Sequence, residues 1–295
     1  MNTIIFGKSG FLGRNLQLEG LCPSSEECNL LDYKSTYDYM SQFAVDFPFK
    51  IVNLAAKVAG AVYNKNHNLE MLYANSLMSL NLIRAIYELN IECYYLYLSS
   101  VCAYDNDNIM KEHRFFDGLP AVNNFGYGVA KKLGVLAAQS LQIDRPNFRF
   151  CSLIPSNMYG EYDRCSLQSG HVIPSLFLKM MGENQKIDVL GNCSNLRNFL
   201  YAKDMGKIIE YFVEKELTGT YNVASDESIS IYNLANEIKK ITNYKGELNF
   251  NFTDLIDSRY ISNNKLRTVL GRDWKFTSFE EGLRNTYNWI RKRDG

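Results

Sequence analysis

The first half of the chain alternates short apolar runs with longer stretches in which apolar residues recur every three or four positions. The runs at 3–6, 50–54, 93–99 and 148–154 read as buried strands, and the stretches at 33–47, 69–89 and 127–141 carry the spacing of helices laid on a sheet. Strands and helices in alternation predict parallel strands covered on both faces, an α/β fold with a doubly wound parallel sheet. Past Pro155 the texture changes, and stretches rich in Gly, Ser and Asn separate shorter elements. Helices are predicted at 173–181, 202–214, 231–241 and 279–290, and the run 219–223 reads as a strand returning to the first sheet. The pattern therefore predicts two units. Residues 1–165 with parts of 198–225 form the first, and 166–197 with 226–295 form a second, smaller α/β unit that holds the substrate.

Composition narrows the partners. Lys and Arg number 32, as do Asp and Glu, so no net field attracts nucleic acid or an anionic membrane surface, and neither is expected as a partner. The N-terminus runs from Met1 straight into the first strand with no charged region or long apolar stretch, which makes the cytoplasm the expected location. Seven cysteines at irregular spacing, without a CxxC pair, fit reduced thiols better than a disulfide framework or a zinc site, so no metal is expected.

Directly after the first strand stands Gly7-Lys8-Ser9-Gly10-Phe11-Leu12-Gly13, followed by a helical pattern. Glycines at this spacing permit a tight turn and let the backbone approach a pyrophosphate, while the start of the helix offers free N–H groups to the anion. This is the nucleotide loop of a Rossmann sheet. The acidic residue that would bind a ribose 2′-hydroxyl has no counterpart around residues 21–25, whereas Lys8 lies inside the loop. A 2′-phosphate paired with Lys8 would favour NADP(H), against the bland alternative of a solvated loop lysine.

A second constellation is Tyr127-Gly128-Val129-Ala130-Lys131, which sets a phenol and an ammonium one helical turn apart on the same face. A nearby cation favours phenolate and makes Tyr127 a competent proton carrier near neutrality. With 20 tyrosines the spacing alone is weak, and Tyr211 to Lys215 repeats it by chance. Context separates the two. Tyr127 follows the strand ending in Ser99-Ser100, whose hydroxyls stand where a parallel sheet presents its carboxyl edge to a ligand.

The combination of Gly7xxGly10xxGly13, Leu54-Ala55-Ala56, Ser100, Tyr127xxxLys131 and Asn157-Met158-Tyr159-Gly160 resembles the extended short-chain dehydrogenase/reductase family of nucleotide-sugar epimerases, dehydratases and reductases. Ala55-Ala56-Lys57-Val58-Ala59-Gly60, Ser100-Val101-Cys102-Ala103-Tyr104 and His171-Val172-Ile173-Pro174 resemble its GDP-L-fucose synthase branch. The resemblance implies C3/C5 epimerisation and C4 reduction of a GDP-4-keto-6-deoxy-hexose with NADPH, on a homodimer built from helices 69–89 and 127–141. It implies that Tyr127 protonates the C4 alkoxide, that Lys131 holds the nicotinamide ribose, that Ser100 binds the keto oxygen, and that Cys102 and His171 are the base and acid of epimerisation. On the cofactor side it adds Gly7, Lys8, Ser9, Gly10, Phe11, Leu12, Gly13, Asn29, Leu30, Ala55, Ala56, Lys57, Ser99, Pro155 and Asn157. On the substrate side it adds Val101, Asn157, Lys179, Leu190 and Arg197. Glu161 stands where the family has proline, Leu190 where the branch has a tryptophan in its nucleotide pocket, and the arginines expected near Pro23 are missing. These departures keep two further readings open: a C4 reductase of another GDP-, CDP- or dTDP-linked keto sugar, 6-deoxyhexose or heptose, and a non-catalytic NADP-binding regulator.

Overall fold

The computed structural model describes residues 3–44, 49–105, 109–166, 170–182, 184–252 and 258–294. Five strands form its central sheet: β1 (Thr3–Phe6), β2 (Phe49–Asn53), β3 (Cys93–Leu98), β5 (Arg149–Pro155) and β9 (Gly219–Val223) pair in that order, all parallel. The run 219–223 does return to the first sheet, in register with β5 from Cys151 to Pro155.

Both faces of the sheet are covered, so its strands are apolar nearly throughout. Along β3, Cys93, Tyr95 and Tyr97 face one cluster and Tyr94, Leu96 and Leu98 the other, as the two-residue period of a strand requires. Helices α4 (Asn68–Glu88) and α5 (Phe125–Asp144) cover the first face with Leu82, Ile83, Ile86, Val135, Ala138 and Leu141. Helix α7 (Ala202–Lys215) covers the second with Met205, Ile208, Ile209 and Phe212. Three tyrosines in one buried strand are tolerable because each phenol has a partner. Tyr94 donates to the Leu217 carbonyl at 2.8 Å, Tyr95 accepts from Asn53 at 2.9 Å, and Tyr97 lies 3.2 Å from the Ser79 hydroxyl.

A third cluster lies apart from these faces. Strands β6 (Asn157–Tyr159), β8 (Leu196–Tyr201) and β10 (Ser228–Ser230) form one small sheet, and β7 (Lys186–Val189) pairs with β11 (Glu247–Phe250). Helices α6 (Val172–Met181), α8 (Ile231–Thr242) and α10 (Phe279–Asp294) close over them around Phe177, Tyr201, Leu234, Ile238, Leu283 and Ile290. The remaining elements are short: α1 (Phe11–Arg14), α2 (Tyr33–Ser41), α3 (Ala61–Asn66), β4 (Ile109–Met110), β12 (Tyr260–Ile261) and α9 (Asn264–Leu270).

Two expectations change. The helix after the glycine loop is one turn long, and where a second strand would lie the chain touches β1 through a single bridge, Ile4 to Leu21. The helix expected at 33–47 starts on the Asp32 cap, whose side chain accepts from the Lys34 N–H, and ends at Ser41. Residues 45–47 of that expectation lie outside the described residues. Among the described residues no helix is long and apolar enough to cross a membrane.

Candidate active site

The carboxyl ends of β1, β3 and β5 open into a cleft of about 690 Å³ that continues to the turn between β7 and β8. Its floor begins at the glycine turn. Gly7 takes φ +81°, and a Cβ there would lie 2.8 Å from the Ala55 nitrogen, so only glycine lets the loop pack on the residues that follow β2. Gly7, Gly10, Phe11, Leu12 and Gly13 all line the cleft. A Cβ on Gly10 would meet only the Gly7 carbonyl, at 3.3 Å, which leaves the backbone bare toward the cleft, as close approach of a phosphate needs. These residues fit a dinucleotide.

Ser99 and Ser100 follow β3 and both line the cleft. Ser100 starts the tight turn Val101–Ala103, its hydroxyl accepting from the Cys102 N–H at 3.2 Å. Helix α5 docks on this turn at Gly128, where a Cβ would stand 2.3 Å from the Cys102 carbonyl. That close approach places Tyr127 on the cleft wall with Ser100. One turn further, Lys131 is only 1% exposed, and its ammonium donates to the Leu98 carbonyl at 2.8 Å. Its Nζ lies 4.9 Å from the Tyr97 ring centre and 5.8 Å from that of Tyr127.

The electrostatics correct the reading made from spacing alone. Burial lowers the Lys131 amine to about 7, so it is a weakened cation. Burial also raises Tyr127 well above the ordinary phenol range, with Ser100 pulling the other way. Desolvation exceeds the expected cation effect for both groups, and Tyr127 in the protein alone is a neutral phenol, the form that donates a proton. Cys102, half-buried on the same wall, has its thiol raised by burial, against the hydrogen bond from Ser100 and the charge of Arg259.

Across the cleft, His171 precedes α6 with its Nδ1 2.9 and 3.2 Å from the two carboxylate oxygens of Asp163. This contact raises the imidazole above its ordinary value, burial opposing. Asn157, whose amide donates to the Asn198 carbonyl at 3.0 Å, lies on the wall with Ala56, Val101, Pro155, Leu190 and Arg197. Other predicted residues stand off it. Lys8 points back to the Leu16 carbonyl, Ser9 is exposed on the loop, Lys57 pairs with Glu70, and Ala55 packs on the core behind Ala56. Asn29 folds on its own turn by accepting from the Leu31 N–H, Leu30 is core, and Lys179 lies half-buried along α6.

Sequence reasoning missed Asp163, the cleft-lining pair Asn64 and Asn124, joined at 3.0 Å, and Tyr162, over which the Arg14 guanidinium sits 4.0 Å from the ring centre. It also missed what Glu161 does. The carboxylate that stands in the place of proline is buried, accepting from Tyr201 at 2.7 Å and from Lys203 at 2.6 Å, and its carbonyl accepts from Asn15 at 2.8 Å.

A glycine turn after β1, with a Ser, Tyr and Lys set at the ends of β3 and α5, defines a nucleotide-binding oxidoreductase or epimerase of the doubly wound class. The chain belongs to the NAD dependent epimerase/dehydratase family, whose model matches residues 3–224. It is 29% identical to the GDP-L-fucose synthase of Dictyostelium discoideum, over 90% of this chain and 84% of that one. With the GDP-L-colitose synthase of Yersinia pseudotuberculosis it shares 26% identity over 98% of both. Its fold matches the NADP-bound GDP-L-fucose synthetase of Naegleria fowleri at a TM-score of 0.85, with 20% identity, covering 99% of this chain and 94% of that one.

Proposed function

We propose that this chain is an NADP(H)-dependent nucleotide-sugar enzyme that works as GDP-L-fucose synthases do, epimerising a GDP-4-keto-6-deoxy-hexose at C3 and C5 and reducing its C4 ketone. The observation that carries this reading is that Ser100, Cys102, Tyr127, Lys131 and His171 share one cleft with the glycine turn. The glycine turn, with Ala56, Ser99 and Pro155, holds the cofactor, and the half formed by α6, β7 and β8 holds the sugar nucleotide, with Arg197 suited to a diphosphate. A bound nicotinamide supplies hydride to a carbonyl carbon. Ser100 holds the keto oxygen, and Tyr127, neutral and beside Ser100, gives its phenolic proton to the oxygen as it becomes an alkoxide. Lys131 orients the ribose. Cys102 removes a proton from carbon next to the ketone, and His171 returns one on the other side of the ring. The enzyme works in the cytoplasm, where its seven free thiols stay reduced, as a homodimer joined through α4 and α5.

A second reading, reduction of another nucleotide-linked keto sugar without epimerisation, is favoured by the burial that raises the Cys102 thiol and so disfavours the thiolate base. One experiment tests both. NADPH consumption across a panel of nucleotide-linked 4-keto sugars, with products resolved by NMR in deuterated water, is expected to show oxidation together with deuterium at C3 and C5. Oxidation without deuterium selects the reductase, and no oxidation with any of them refutes both.

A further inference from the structure

His171 is 38% exposed as a side chain, while Asp163 is 2% exposed. A buried carboxylate is costly unless its oxygens find donors. The Arg164 N–H donates to Asp163 Oδ1 at 2.7 Å, so that oxygen is an acceptor, and the His171 Nδ1 lying 2.9 Å from it must be the N–H side of the contact. The segment that carries Asp163 is itself tied down. Glu161, two residues earlier, holds Asn15 at the end of α1 through its carbonyl, and Tyr201 and Lys203 through its carboxylate.

We propose that Asp163 is the positioning residue of His171: by holding the proton on Nδ1 it leaves Nε2 as the ring nitrogen that exchanges protons with a sugar in the cleft. The inference rests on reading His171 as the acid of the site. In the step it supports, the Nε2–H bond of the imidazolium breaks as a C–H bond forms at the carbon next to the ketone. The electron pair of the enolate takes the proton, and the ring ends neutral with Nδ1–H still donating to Asp163. A carboxylate offers only acceptors at this position. Asparagine brings an N–H of its own and no longer dictates which nitrogen of the ring is protonated.

The test combines one spectroscopic and one kinetic readout. The chain has three histidines, so nitrogen NMR of histidine-labelled protein resolves His171 by comparison with His171→Asn. The wild type is expected to carry its proton on Nδ1 when neutral, and Asp163→Asn to shift it toward Nε2. Asp163→Asn is expected to lower deuterium uptake next to the ketone by about 10²-fold, within the range general acid catalysis supplies, and to lower reduction of an already epimerised keto sugar far less. Asp163→Glu is expected to restore part of the uptake. A wild-type ring protonated on Nε2 when neutral overturns the proposal whether or not the variants fold. Uptake lost in His171→Asn but retained in Asp163→Asn overturns it alone, and uptake that survives His171→Asn refutes the acid reading and this inference with it.

Discussion

Replacing Lys131 by methionine is expected to stabilise the protein while inactivating it. Unfolded, the amine keeps its proton up to about pH 10.5; folded, burial lowers that limit to about 7. Between those values the unfolded chain binds more protons, so stability rises with pH across that window; the cost of burying the charge is fully present below pH 7 and gone above 10.5. At about 1.4 kcal/mol per tenfold change in proton affinity the full cost is about 5 kcal/mol, falling to about 2 at pH 9. Methionine fills similar volume with no charge to desolvate, but leaves the Leu98 carbonyl without its donor, a loss of about 1–3 kcal/mol. The variant is then more stable than wild type by about 2–4 kcal/mol at pH 6 and by close to nothing at pH 9. For a chain of this size that is a rise in melting temperature of about 4–8 °C at pH 6. Calorimetry at the two pH values reads it, and cofactor titration with a turnover assay reads the loss of function. A variant no more stable than wild type at pH 6, or a gain that persists unchanged at pH 9, refutes the argument that burial governs this amine.

Tyr127→Phe keeps the ring and removes the proton donor, so reduction is expected to fall by roughly 10²–10⁴-fold with NADPH binding nearly intact; near-normal turnover removes Tyr127 from the mechanism. Gly128→Ala forces a Cβ to within 2.3 Å of the Cys102 carbonyl. Its gain in helix propensity, about 1 kcal/mol, is expected to be outweighed by overpacking of about 1–3 kcal/mol, giving a lower melting temperature and a loss of turnover larger than the loss of cofactor affinity. A raised melting temperature with full activity shows that α5 can shift freely there. On α4 and α5, Leu69, Tyr73, Tyr87, Leu136 and Ile143 are exposed, an apolar set that pairing of two copies would cover. Light scattering is expected to give twice the chain mass, and a monomer mass at every concentration would falsify the dimer.

How much of this was legible in the sequence depends on whether a signal is periodic, local or made only by packing. β3 and α5 were readable because burial on both faces of a strand and one face of a helix writes directly into residue order, as Tyr94, Leu96 and Leu98 against Tyr95 and Tyr97 illustrate. The glycine turn was readable because its chemistry is local. β6, β7, β8, β10 and β11 were not, since three to six residues with polar edges carry too few repeats to show a period. Asp163 was invisible for a different reason: its contact with His171 joins positions eight apart in sequence, a spacing that no helix or strand period marks. The Tyr127 and Lys131 pair lies between these cases. Spacing put both groups on one face, but it could not give the direction in which either one titrates, because that follows from the burial of the phenol and of an amine 1% exposed. A motif therefore names the atoms that meet in such a site, while their protonation states follow from what the rest of the fold packs around them. For this chain that distinction turns an expected lowering of the Tyr127 phenol into a raising, which leaves it neutral, the form from which an alkoxide can take a proton.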